Sequence, residues 1–214
     1  MAAVKTKENK RLIEVGREAS INSDLKVYTP SEEVPLHRKL VEVAYRWVLK
    51  SSSCGVAFKE LNSLACNGEY PDVIGFGSHG HSVLIEVKCS RSDFHADKKK
   101  KFRINPEFGM GTQRFYCCPT GLLKVEDLPK GWGLIYVSDK WKAKCVHTPY
   151  KGNIGERHKG HKKNMKAEHG LMYSALRRLH LRGRIDEIYD NSFSYRPEEP
   201  SIPDPALIYK PEGE

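Results

Sequence analysis

The sequence predicts an α/β protein with a mixed β-sheet, and three observations carry the prediction. An amphipathic stretch over 36–49 comes first. Short apolar, β-branched runs follow, two of them joined by the turn segment Gly77-Ser78-His79-Gly80. A polar, lysine-rich stretch then separates these runs from two more strand-like segments. The order is helix, strand, hairpin strands, helical crossover, strand, strand, which is an α/β core with a mixed sheet.

Each element has its own reason. Ser31-Glu32-Glu33-Val34-Pro35 reads as a helix start, with acids in the first turn and proline near the first helical position. Leu36, Leu40, Val43 and Trp47 then recur at helical spacing up to about Leu49. Cys54 to Phe58 is a short apolar strand, and Leu61 to Gly68 is turn-like. Val73-Ile74 and Val83-Leu84-Ile85 are strands on either side of a turn centred near His79. Ser90 and Asp93 have capping-box spacing, and Phe94 and Phe102 anchor a short helix. Residues 105–111 form a loop. Arg114 to Pro119 is a strand stopped by proline, Gly131 to Val137 a buried strand, and Trp141 to His147 an edge strand. Glu168 to about Arg182 has a helical pattern with a basic C-terminal end, and Ile185 and Ile188 would extend it past Gly183.

Composition narrows the functional class. The chain has 214 residues, 39% hydrophobic and 29% charged, and no window of 18 consecutive apolar residues. A soluble domain with extensions is expected, without membrane association. The N-terminus has no apolar signal core, and six cysteines at 54, 66, 89, 117, 118 and 145 include no C-x-x-C pair. Reduced thiols in a cytoplasm, bacterial or of a phage-infected host cell, are the expected setting. Net charge is +9. It concentrates mid-chain, in Lys98, Lys99, Lys100, Lys101 and Arg103 and again across 140–166. That distribution suits a surface tracking phosphates, against the blander account of a solvated basic face. The expected organisation is an extension over 1–30, a core over 31–147, a basic loop and C-terminal helix packing on the core over 148–190, and an acidic proline-rich tail over 191–214.

The candidate chemistry lies in the stretch from Glu69 to Ser90. A turn centred near His79 puts Asp72 opposite Glu86 on the neighbouring strand, and period-2 alternation puts Lys88 on the same face as Glu86. Three readings compete. One is a paired salt bridge in a sheet. Another is a carboxylate pair for acid–base work on a glycoside, which leaves Lys88 and the basic surroundings unexplained. The third is metal-assisted phosphodiester hydrolysis. In it Asp72, Glu86 and the Val87 carbonyl offer oxygens to Mg²⁺ or Mn²⁺, and Lys88 faces the scissile phosphate. Glu42, beside the apolar stripe of the first helix, is either an ion-pair partner of Arg38 or Arg46 or a third acid near the metal. His158-x-x-His161, with His147 and His169 nearby in sequence, offers a zinc site, but with no cysteine pair or H-E-x-x-H pattern a basic loop with histidines is the better account, and Trp132, Trp141, Phe115 and Tyr116 suit a core better than base stacking.

Asp72, followed by Glu86-x-Lys88, resembles the PD-(D/E)xK nuclease superfamily with its restriction-endonuclease-like fold. The stretches E-V-K-C-S-R-S-D-F-H-A-D-K, R-F-Y-C-C-P and L-P-K-G-W-G-L-I-Y-V look like the MmcB-related DNA repair nucleases and, more closely, phage or prophage proteins of that shape. The likeness covers roughly 36–147. It implies an αβββαβ core with a central mixed sheet, Mg²⁺ or Mn²⁺ held at Asp72 and Glu86, and Lys88 as the catalytic lysine. Glu42 falls where many members carry a helical glutamate. Ser90 and Asp93 match a serine and an aspartate with a phosphate-contact or loop-positioning role. Gln113 comes too late to take the role of the glutamine that many members carry. The function implied is a metal-dependent DNA endonuclease in DNA processing or repair, with Ser90, Asp93, the 98–103 run and Arg114 on the nucleic acid. The alternative is a non-catalytic nucleic-acid-binding module, a phage accessory or anti-defence factor. RNA stays open as a substrate, and a homodimer as the assembly.

Overall fold

The computed structural model describes residues 34–63, 67–150 and 160–189. The readings made for 1–30, for Ser31 to Glu33, for His158 and for the proline-rich tail lie outside these. One compact unit starts at Pro35.

Helix α1 spans Leu36–Ser51. Pro35 is its N-cap and not its first helical residue, no acid lies in the first turn, and the Pro35 carbonyl accepts from the Lys39 N–H at 3.2 Å. Strands β1 Val56–Lys59, β2 Val73–Phe76 and β3 Ser82–Val87 follow. Two helical pieces come next, α2 Arg91–Asp97 and the single turn α3 Lys101–Ile104. Then come β4 Gln113–Pro119, β5 Trp132–Val137 and β6 Ala143–His147, and last α4 Met165–Leu181. Helix α4 begins three residues before its expected start because the Asn164 side chain caps it, accepting from the Ala167 N–H at 3.0 Å. Gly183, at φ 66°, ends the α-helical run, so Ile185–Tyr189 is a separate 3₁₀ turn and not an extension.

The six strands lie side by side in sequence order. β2 runs antiparallel to both β1 and β3, β3, β4 and β5 are parallel, and β6 returns antiparallel to β5. The sheet is therefore mixed, as expected. A parallel step from β3 to β4 needs a crossover, and α2 and α3 lie in it. The β2–β3 pairing runs Val73↔Ile85 to Phe76↔Ser82, which centres the turn on His79. His79 and Gly80 both have left-handed backbone, φ 54° and 72°. Two successive positive-φ residues are what a tight right-twisted hairpin turn requires.

Alternation sorts the strand residues onto two covered faces. Val73, Val83, Ile85, Val87, Phe115, Cys117 and Ile135 meet Leu40, Val43, Ala44 and Val48 of α1. Ile74, Leu84, Tyr116, Cys118, Trp132 and Leu134 meet Phe94 of α2 and Ala167 and Leu171 of α4. Each such Leu, Ile or Phe, fully buried, contributes about 1.5–3 kcal/mol. The adjacent Cys117 and Cys118 thus point to opposite faces. The strand aromatics are core residues: Tyr116 stacks on Trp132 with centroids 4.3 Å apart.

Helix α4 is tied down by a buried acid. Glu168, 2% exposed, accepts from the Ser82 hydroxyl and the Gly111 N–H, each at 2.8 Å, and pairs with Lys163 at 2.7 Å. Glu168→Ala takes the carboxylate from the Gly111 N–H, while Ser82 and Lys163 keep Thr112 and the Gly80 carbonyl as partners, and should cost about 1–3 kcal/mol. A lower urea midpoint at unchanged slope is the expected readout.

Candidate functional site

Asp72 sits one residue before β2. Continuing the Val73↔Ile85 register places it opposite Glu86, as the turn geometry predicts. Proline at 71 has no N–H to add to the ladder there. The Asp72 carbonyl accepts from the Glu60 N–H at 2.9 Å, and its carboxylate Oδ2 accepts from the Val87 N–H at 2.7 Å. Its side chain stays 18% exposed, facing a pocket of about 320 Å³ shared with Glu60, Asn62, Tyr70 and Pro71.

Glu86 and Lys88 share the other side of the sheet from α1, and both are buried. Lys88 Nζ lies 3.4 Å from Glu86 Oε2, 3.6 Å from Asp97 Oδ1 and 3.8 Å from Asp93 Oδ1. The crossover delivers the rest. Ser90 caps α2, its hydroxyl accepting from the Asp93 N–H at 3.2 Å, which fixes where α2 leaves the sheet. At the end of α2, Asp97 turns inward and accepts from the Tyr116 hydroxyl at 2.8 Å and from Arg103 Nε at 2.9 Å. Arg103 Nη2 lies 2.9 Å from Glu86 Oε1, and Nη1 pairs closely with Glu69. Lys100 closes the rim on Asp97 at 2.8 Å. Glu69 also takes the Met110 N–H at 2.6 Å.

The electrostatics follow from burial and from who faces whom. Burial pushes the Glu86 carboxyl up to about 7; Arg103 and Lys88 pull it down, while Asp72 and Asp97 push it up. Burial raises Asp72 as well, with the Val87 N–H and His37 opposing it. Asp97 goes the other way: burial would raise it, but Arg103, Lys88 and Lys100 more than offset that and hold it below the usual carboxylate range. The group is an acid-rich pocket partly neutralised by its own cations.

Several expected site residues are placed otherwise. Arg103 does not reach toward a phosphate. Its side chain is 2% exposed and lies among three carboxylates, with the Trp132 ring 4.9 Å away. Arg114 is fully buried as well, donating to the carbonyls of Gly111 at 3.0 Å and Pro106 at 2.7 Å. Lys98 is half-buried on the Asp127 carbonyl and over the Phe94 ring. Lys99, Lys100 and Lys101 are exposed. Ser90 positions α2. Asp93 extends the acid ring around Lys88. Glu42 pairs with Lys59 of β1, not with Arg38 or Arg46. The α1 residue that reaches Asp72 is His37, with Nε2 3.4 Å from Oδ1. Among the described residues, His147, His161 and His169 join no cluster of three ligating side chains. His161 bonds the Gly131 carbonyl at 3.0 Å instead.

Glu69, Asp97, Tyr116, His37 and Glu60 are site residues that sequence reasoning missed. Asp97 carried a faint signal, lying four residues after Asp93 and so on the same helical face.

No family model matches the chain, and no curated protein matches it. Among solved structures it is similar to the SPO1766 protein of unknown function from Silicibacter pomeroyi, at 25% identity. That likeness covers 71% of this chain and 94% of the other, with a TM-score of 0.48. The class that the fold defines is an α/β protein with a six-stranded mixed sheet. No helix of the described residues is long and apolar enough to cross a membrane.

Proposed function

We propose that the protein is a divalent-metal-dependent DNA endonuclease on a restriction-endonuclease-like core. The observation that carries the reading is the placement of Asp72 opposite Glu86 on adjacent strands, with Lys88 Nζ 3.4 Å from Glu86. The run of one helix, three antiparallel strands, helical crossover and parallel strand supports it.

The donors fit Mg²⁺ or Mn²⁺. They are oxygens only, as hard cations require. Burial with like charges nearby leaves Glu86 holding a proton up to about 7, a position that a cation would take over. Asp72, Glu86 and the Val87 carbonyl would hold it. Bound there, the metal would supply polarisation of the phosphoryl oxygen and acidify a bound water.

The chain's own groups do the rest. Lys88 directs a positive charge to the phosphate oxygens, where negative charge grows during cleavage. Asp97 and Asp93 hold that ammonium in place. The exposed Lys99, Lys100 and Lys101 form a basic rim beside the site and attract the nucleic-acid backbone. Access is from the side of the half-exposed Asp93 and the partly open Asp72.

One observation favours the second reading, a binding module without turnover. Arg103 already occupies one Glu86 oxygen, and Glu86 is 2% exposed. The two readings separate on labelled duplex and single-stranded DNA with Mg²⁺, Mn²⁺ or excess chelator. The nuclease reading expects products that appear only with metal. Salt-sensitive binding with no products under any metal would establish the binding module instead.

A further inference from the structure

We propose that the C-terminal half of α4 is a phosphate track for DNA, with Arg178 and Arg182 as its contacts, leading to the Asp72 pocket. The proposal rests on DNA as the partner, which the nuclease and the binding-module readings share, and not on cleavage.

Helical spacing sets these two arginines apart from the other cations of α4. Ala167, Leu171, Ser174, Arg178 and Arg182 follow one another at steps of three or four, so they form one stripe along the helix. At its start this is the stripe that α4 lays on the sheet: Ala167 and Leu171 are 0% exposed and belong to the core. Ser174 is half-buried, and Arg178 and Arg182 are exposed. At 1.5 Å per residue, Arg178 lies about 10 Å and Arg182 about 16 Å beyond Leu171. The helix therefore runs on past the layer it packs against, and its inward stripe changes there from apolar to cationic.

The overhang reaches the candidate site. Arg178 Nη2 donates to the Asn62 carbonyl. Asn62 lines the pocket of about 320 Å³ at Asp72, together with the exposed Tyr70. Asn67 and Glu69, just ahead of Asp72, are held from the other basic element. Glu69 pairs with Arg103 of α3, and the Asn67 side-chain amide donates to the Phe108 carbonyl at 2.9 Å. The end of α4 and the crossover that carries Lys99, Lys100 and Lys101 thus both attach to residues that border or closely precede Asp72.

The charge on this stripe is available. Lys163 and Arg184, near the two ends of the helix, pair with Glu168 and Glu187. Among the described residues no acid pairs with Arg178 or Arg182. A basic last turn suits the helix dipole on any face. The dipole gives no reason for arginine on the one stripe that is buried elsewhere, whereas a phosphate strand does. Two residues four apart on one face are about 6 Å apart along the helix axis. That is close to two phosphate steps of one DNA strand, at about 3.4 Å each.

Fluorescence anisotropy of the full chain with a labelled DNA duplex, in excess chelator and over a series of KCl concentrations, tests the track. The inward pair, Arg178→Gln with Arg182→Gln, is compared with Lys166→Gln and Arg177→Gln together. The second pair removes the same two charges from exposed positions on a different side of the same helix. The inward pair should weaken binding at least about tenfold at 0.1 M salt. It should also lower the slope of log K against log salt by about 1.8, at about 0.9 per phosphate contact. The second pair should leave that slope within about 0.5 of wild type. Lysine at both 178 and 182 should keep most of the slope, and circular dichroism melting confirms the fold of every variant. Equal losses from the two pairs would reduce the effect to net charge and overturn the proposal. An unchanged slope in the inward pair overturns it too, as does wild-type binding that ignores salt. Cleavage with Mn²⁺ is scored separately. Wild-type binding that needs the inward pair but yields no product sinks the nuclease reading and leaves the track standing; metal-dependent product with an unchanged slope does the reverse.

Discussion

Replacing Arg103 with methionine is expected to destabilise the protein by about 3–5 kcal/mol, the range for breaking a buried ion pair by removing one partner. Methionine keeps much of the side chain's reach, so the loss is of charge more than of volume. The guanidinium touches Glu69, Glu86 and Asp97, and its side chain is 2% exposed. Removal leaves three desolvated carboxylates, of which Glu86 and Asp97 keep Lys88 as a buried counter-charge. Double substitution of Arg103→Met with Glu86→Gln should recover part of the loss, because one stranded charge goes with it. The pH dependence has a definite sign. In the wild type Glu86 is raised from 4.5 to about 7. The native state therefore binds more protons than the unfolded chain across that window, and stability falls as pH rises through it. Arg103 lowers the Glu86 value, so Arg103→Met should extend the decline to higher pH. Urea unfolding at a series of pH values measures both effects. A loss below about 1 kcal/mol, the range of an exposed pair, would mean that the network is solvated and not buried.

The second large effect is on turnover. Lys88→Met should lower the cleavage rate by about 10²–10⁴, the range for removing a positioned proton-transfer or oxyanion-stabilising group. Lys88 Nζ belongs to an acid ring of Glu86, Asp93 and Asp97 at 3.4–3.8 Å. Those acids hold the ammonium in one place, so its contribution depends on position as well as charge. Methionine fills the stem's volume without the charge. Single-turnover rates at saturating DNA separate the chemical step from binding, and the expected variant binds DNA with little change. A rate within a few-fold of wild type would remove Lys88 from the chemistry and leave it a structural partner of the acids.

Much of the fold was legible because the strands obey period 2 and the hairpin is symmetric about His79. Phe76↔Ser82 follows from that symmetry, and so does the pairing of Asp72 with Glu86. The ring around Lys88 was not legible, for a physical reason. Asp97 and Arg103 approach Glu86 only after the crossover has folded back over the sheet, and local sequence carries no record of that distance. A run of lysines and one arginine reads as a single solvated face. The fold splits it instead, burying Arg103 while Lys99, Lys100 and Lys101 stay out. Arg114 misled in the same way, since a strand arginine beside a loop gives no sign that backbone carbonyls will surround it. On α1, periodicity found the apolar stripe but not the helix's rotation about its axis. That rotation gives Lys59 to Glu42 and puts His37 beside Asp72.

Supercoiled plasmid tests the central claim most directly, incubated with wild type and with Asp72→Asn in Mg²⁺, in Mn²⁺ and in excess chelator. The account predicts nicked or linear product from the wild type with metal, none with chelator, and none from Asp72→Asn under any condition. Equal conversion by wild type and Asp72→Asn, or conversion that persists in chelator, would contradict it.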